Sequence, residues 1–106
     1  MRTLKFIIDK QIIKQDPECD FSDIVPGTKG YLIAEFSFSH EWNNTIRVAE
    51  FWSNNKECTP QLLYKGKSCI IPAEALLSKR FSIRIIGKNK DLIIKTNKVE
   101  ICQNGR

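Results

Sequence analysis

The chain contains a single histidine, His40, and a glutamate, Glu41, follows it directly. A His/Glu pair can serve as a general base with its orienting carboxylate, provided a nucleophile or metal lies within hydrogen-bond reach. The pair ends the stretch YLIAEFSFSHEW, residues 31–42, which alternates apolar and polar residues like a strand. On a strand, neighbouring side chains point to opposite faces, which would separate His40 from Glu41. No serine or cysteine stands in a recognisable strand–turn–helix elbow, and no glycine-rich loop follows a strand and opens a helix. His40 and Glu41 therefore read as the solvated end of a strand, with Trp42 packed beneath the adjoining loop.

Metal chemistry fares no better. Cys19, Cys58, Cys69 and Cys102 are widely spaced without a C-x-x-C pair. With one histidine, a zinc site would have to gather ligands from the whole chain. In a reducing cytosol four thiols are expected, with Cys69 (in SCII) and Cys102 (in VEIC) acting as small hydrophobes inside strands. Asp16, Glu18, Asp20 and Asp23 have part of the spacing of a calcium loop but lack its central glycine and its closing bidentate glutamate. They read as an ordinary exposed loop. No catalytic residue, metal or cofactor is expected, and the chain reads as non-enzymatic.

The charge has more to offer. Of a net +5, much is gathered in the last third by Lys79, Arg80, Arg84, Lys88, Lys90, Lys95 and Lys98. On alternating strands these residues would share a solvated face, which is the candidate partner-binding surface. A single-strand nucleic-acid groove interleaves aromatics with its cations for base stacking. The nearby aromatic is Phe81, which the strand pattern turns inward. A protein partner is favoured over nucleic acid, and a homo-oligomer is left open.

The elements that must position these residues are mostly short strands. The 106 residues correspond to one domain, 1–106, large enough for a single core. No apolar run approaches the roughly 18 residues of a membrane span, so no membrane partner is expected. The start, MRTLKFIIDKQIIK, carries a charge every few residues and lacks the apolar block of a signal peptide, so synthesis in the cytoplasm is expected.

LKFII and QIIK could form an opening hairpin, and QDPECDFSDIVPGTKG reads as a long irregular connection. In the next strand Leu32, Ala34, Phe36 and Phe38 share one face, opposite Tyr31, Ile33, Glu35, Ser37 and Ser39. Asn43 and Asn44 supply turn chemistry, after which IRVAEFW is expected to pair with the preceding strand. PQLLYKGKSCII suggests two strands in a hairpin around Lys65-Gly66. PAEALLSK, in residues 72–79, is the one helical segment, with Pro72 in its first turn and Leu76 and Leu77 on its apolar face. FSIRIIG and DLIIKTNKVEIC complete about seven or eight strands, the pattern of an all-β, two-layer antiparallel sandwich. Leu32, Ala34, Phe36, Phe38, Phe51, Phe81 and Ile83 are expected to share its core.

One set of phrases is familiar in combination. GYLIAEFSFSHEWNN, RVAEFW, SCIIPAEAL, KRFSIRIIG and LIIKTNKVEI, in this order, resemble a small Ig-like β-sandwich family from tail and baseplate proteins of phages and prophages of Gram-positive bacteria. The resemblance runs from about Lys29 to Ile101 and is to the N-terminal module of the upper-baseplate type, which anchors a longer protein in the tail tip. Its specific parts are the strand ending in Glu41-Trp42, the Ala49-x-Phe51 pair and the Ile71-Pro72-x-Glu74 step. The family often has tryptophan after that proline, where Ala73 stands here. The resemblance implies a non-enzymatic structural or adaptor module whose partner is a phage tail component, with the virion tail as its destination. A small basic domain without a catalytic set also fits a second class, a phage-encoded inhibitor of a host defence system (anti-CRISPR type). Its partner would be a host defence protein or that protein's nucleic-acid-binding surface.

Overall fold

Short alternating segments separated by turn residues can bury their apolar sides only by stacking one sheet on another. The computed structural model describes residues 1–104 and shows that arrangement. Its ten strands are β1 (Arg2–Asp9), β2 (Ile12–Gln15), β3 (Leu32–Phe38), β4 (Ile46–Ser53), β5 (Lys56–Glu57), β6 (Gln61–Leu62), β7 (Ser68–Ile70), β8 (Arg80–Lys88), β9 (Ile93–Lys95) and β10 (Val99–Cys102). One sheet has the order β2-β1-β3-β7; the other follows β10-β8-β4-β5, with β6 added to β4 and β9 to β8. The all-β class is as the patterning indicates. The strands in excess of the expectation are pieces of two or three residues, too short to show an alternation.

The core lies between the sheets. Leu4, Phe6 and Ile8 of β1 and Leu32, Ala34 and Phe36 of β3 face Ala49 and Phe51 of β4 and Phe81, Ile83 and Ile85 of β8, all buried. The rings of Phe6 and Phe36 stack with centroids 5.4 Å apart. Of the seven core residues expected, Phe38 alone sits at the rim, half-buried beneath the Arg47 guanidinium at 4.1 Å. Residues 16–31 form the irregular connection anticipated, largely exposed but anchored at a few points. Ile24 is buried, and Phe21 meets the Phe6 ring edge-on at 5.4 Å. The Arg2 guanidinium donates to the carbonyls of Asp20 (2.9 Å) and Ser22 (2.6 Å).

The topology differs from the sequence reading in four places. The sandwich is not antiparallel throughout, because β1 and β3 pair in parallel from Arg2↔Leu32 to Ile8↔Phe38. A parallel pair needs a crossover of about a dozen residues or more, and the 16–31 connection supplies it by returning the chain to the start of β1.

The second difference is that β3 and β4 do not pair with each other. β4 pairs with β8 over its whole length, in the other sheet. The chain changes sheets through a 3-10 turn at His40–Trp42 and Asn44, whose φ is 62°. Trp42 fills this corner with no solvent exposure, and its indole N–H donates to the Lys10 carbonyl at 2.7 Å. Arg47 braces it, donating to the Trp42 carbonyl at 2.7 Å and the Gly66 carbonyl at 2.9 Å.

Third, the turn at Lys65-Gly66 forms with positive φ at both residues (50° and 71°), but the flanking strands then diverge. They touch through a single Tyr64–Ser68 bridge, while β6 joins β4 and β7 joins β3. The turn therefore links the two sheets. Fourth, the helical segment is one 3-10 turn, Ala73–Leu76, with Pro72 as its N-cap. The turn ends at Leu76, so Ala75 and Leu76 are buried while Leu77, just beyond it, is 71% exposed.

Candidate functional site

Each group singled out by its chemistry can now be placed. His40 and Glu41 lie on the 3-10 turn at the corner, with His40 Nδ1 3.7 Å from Glu41 Oε1. The imidazole is solvent-exposed on a turn built around Trp42, and among the described residues no nucleophile hydrogen-bonds to it. In the acidic loop, Asp16 accepts the Glu18 N–H at 2.9 Å. Asp20 accepts both the N–H (2.8 Å) and the hydroxyl of Ser22, and these bonds hold its carboxyl below its usual range. The carboxylates thus cap their own loop. Among the described residues no group of three or more His, Cys, Asp or Glu side chains is placed to hold a metal ion.

All four cysteines are free thiols. Cys69 is buried as a small hydrophobe, and burial pushes its thiol up to about 12. Cys102 departs from that expectation. It lies on the outward side of β10, opposite Arg80, and is exposed. The roomiest cleft, about 400 Å³, contains Cys58, Glu74, Ser53 and Ser78. Burial, reinforced by the Glu74 carboxylate, pushes the Cys58 thiol up, away from the reactive thiolate. The Ser53 and Ser78 hydroxyls bond each other at 2.6 Å, and Glu74 accepts the Thr59 N–H at 2.6 Å. Ser53, Ser78 and Glu74 are thus each engaged in a hydrogen bond within the fold.

The basic residues belong largely to the outer face of the six-stranded sheet, and register divides that face into rows. At one end Ile46, Lys88 and Ile93 lie side by side across β4, β8 and β9. The next row is Leu62, Val48, Ile86 and Lys95, across β6, β4, β8 and β9. Glu50 faces Arg84 in the third. The fourth is Glu57, Trp52, Ser82 and Glu100, and the last pairs Arg80 with Cys102.

The seven cations therefore do not act as one patch. Arg84 donates through Nε (2.9 Å) and Nη2 (2.6 Å) to Glu50 Oε1. Its guanidinium also lies 5.2 Å from the Trp52 ring centroid, and the Lys98 ammonium lies 3.8 Å from the same centroid. Arg80 approaches Glu100 at 3.6 Å. Lys79 stands outside the rows, just before β8. Lys88 and Lys95 remain beside the aliphatic rows, with Lys90 in the adjoining turn.

Two features of this face escape the linear sequence. Trp52 brings an aromatic among the cations from a distant strand, where the sequence shows Phe81 alone nearby. The second is an apolar area. Ile46 is 69%, Leu62 67% and Ile93 62% exposed, with Val48 and Ile86 half-buried among them. Of these, Ile46, Val48 and Ile86 border, with Pro60, Glu50 and Lys88, a groove of about 290 Å³. A signal was available: IRVAEFW and FSIRIIG carry apolar residues on both sides, whereas a half-solvated strand should alternate cleanly. The β2 edge is closed by Asn97, whose Oδ1 accepts the Ile13 N–H at 2.8 Å and whose N–H donates to Gln11 O at 3.1 Å.

Comparison with protein-family models, with curated proteins and with solved structures gives no match to this chain.

Proposed function

We propose that this chain is a non-enzymatic docking domain, an Ig-like sandwich module of the phage tail and baseplate kind. In this reading it serves as a structural or adaptor piece through contacts made by the outer face of the six-stranded sheet. The observation that carries the reading is the cluster of Ile46, Leu62 and Ile93, each more than 60% exposed on one continuous sheet face. Isolated apolar residues on a surface are ordinary, but several gathered on one sheet face, with Ile46, Val48 and Ile86 bordering a groove, are the mark of an interaction site. The resemblance of residues 29–101 adds support. Of its specific residues, Trp42, Ala49, Phe51 and Ile71 are buried, while Glu41 and Pro72 are half-buried and Glu74 is exposed.

A host-defence inhibitor of the anti-CRISPR kind would draw on the other half of the same face. There Trp52 sits among Arg84, Lys98 and Arg80, a combination suited to nucleic acid or its mimic. Glu50 neutralises Arg84 and the Lys98 ammonium lies over the indole, so that half is largely satisfied by its own side chains. The docking reading is the stronger.

Photo-crosslinking tests it. A benzophenone amino acid is placed at Leu62 on this face or at Glu35 on the opposite sheet, in protein expressed in its natural host. Leu62 should give one dominant crosslinked product that is a tail or baseplate protein, and Glu35 should give none. Equal products from both positions, or none from Leu62, would contradict the proposal.

A further inference from the structure

Resting on that docking reading, we infer that the partner presents an acidic amphipathic helix, seated across β6, β4, β8 and β9 with its aliphatic side on Ile46, Leu62 and Ile93 and its carboxylates on Lys88 and Lys95. Three observations lead there. The first is that the centre of the aliphatic area, Ile46, Val48 and Ile86, lies on β4 and β8, which have partner strands on both sides. The β4 and β8 backbones beneath that centre are engaged in sheet pairing, so a partner seated there makes contact through side chains.

The second is size. Strands lie about 4.8 Å apart, so Leu62, Val48 and Ile86 span roughly 10 Å across three strands. Helical positions i and i+7 are separated by about 10.5 Å, which allows anchors at i, i+3 or i+4, and i+7 to reach across the same strands. The third is charge. Lys88 sits in register between Ile46 and Ile93, and Lys95 closes the row of Leu62, Val48 and Ile86. Glu50, the carboxylate bordering the groove, is held by Arg84. In the adjoining turn Lys90 offsets Asp91, so the area is cationic overall. A second copy of the chain would bring like lysines together, which disfavours self-pairing through this face.

The test uses the whole chain, isotope-labelled for NMR, and three synthetic helical peptides. All share leucines at i, i+3, i+4 and i+7, and their remaining positions are glutamate, glutamine or lysine. The glutamate peptide is expected to shift the amides of Val48, Leu62, Ile86 and Ile93, and to bind at least about tenfold tighter than the lysine peptide at low salt. In K88E/K95E the preference should reverse, and L62S should weaken binding of all three peptides without altering the rest of the spectrum. Equal binding of all three peptides at this face would overturn the charge assignment while leaving the docking reading intact. No response to any peptide, together with a successful Leu62 crosslink, would overturn the helix assignment alone. Absence of both would overturn the two together. Stronger binding to vesicles of phosphatidylglycerol and phosphatidylcholine, or to an oligonucleotide, than to the glutamate peptide would also overturn it.

Discussion

Trp42 closes the corner after β3 with no solvent exposure, whereas Trp52, near the end of β4, points outward with Lys98 and Arg84 against its ring. Both indoles are covered, by different means. Trp42 is covered by the fold itself, with its N–H bonded to Lys10 O and its ring against Gly87, where an added Cβ would come within 2.8 Å of the ring. Trp52 is covered by charged side chains, Arg84 from β8 and Lys98 from the segment just before β10. Against these two, Ile46, Leu62 and Ile93 stand out, because neither the core nor the charges cover them. The contrast separates what the domain needs for folding from what it leaves free to meet a partner.

The core side of the contrast should give the largest effects. Trp42→Ala or Phe36→Ala is expected to cost about 3–5 kcal/mol in chemical denaturation, since each empties a fully enclosed site. A loss under about 1 kcal/mol at both positions would show that the core has been misplaced. Gly87→Ala should cost about 1–3 kcal/mol, because the added methyl meets the Trp42 ring, which the surrounding corner holds in place. The same denaturation curves would measure it, and W42F/G87A should recover part of the loss.

Trp52→Ala should be milder, about 1 kcal/mol, because it removes an exposed cation–π cluster and partial packing. Leu62→Ser and Ile46→Ser are expected to stay within about 0.5 kcal/mol of the parent, the range of ordinary surface changes. A large loss at either position would make the aliphatic area a structural element. Reductant should leave the melting temperature unchanged, because the four cysteines are free thiols.

Much of the core was legible in the sequence and most of the pairing was not, for a common reason. Alternation within one segment states which side chains turn inward, so Leu32, Ala34, Phe36, Phe51, Phe81 and Ile83 could be assigned from spacing alone. Alternation carries no record of which strand lies alongside. The short link at Asn43–Asn44 looked like a hairpin, yet its turn redirects the chain to the other sheet, and β1 and β3 meet through a crossover whose path depends on Arg2 and Ile24. Local turn chemistry was read correctly at Lys65-Gly66, but strand divergence beyond it is a tertiary matter.

The candidate site shows the same division. The cations of the last third were visible in the sequence. Their neutralisation by Glu50 and Glu100, and the arrival of Trp52 among them, required the register. Cys102 was read as a buried strand residue, and the phase of β10 puts it outside, because Ile101 takes the inward position.

The most direct measurement of the central claim is a lysine footprint. Brief acetylation followed by mass spectrometry would compare the isolated domain with the assembly it joins in its natural host. Lys88 and Lys95 beside the aliphatic rows, Lys79 before β8 and Lys14 on the opposite sheet are all exposed in the isolated chain. If the outer face of the six-stranded sheet is the docking surface, Lys88 and Lys95 lose reactivity in the assembly while Lys14 and Lys79 keep theirs. Unchanged reactivity at Lys88 and Lys95, or protection centred on Lys14, would contradict it.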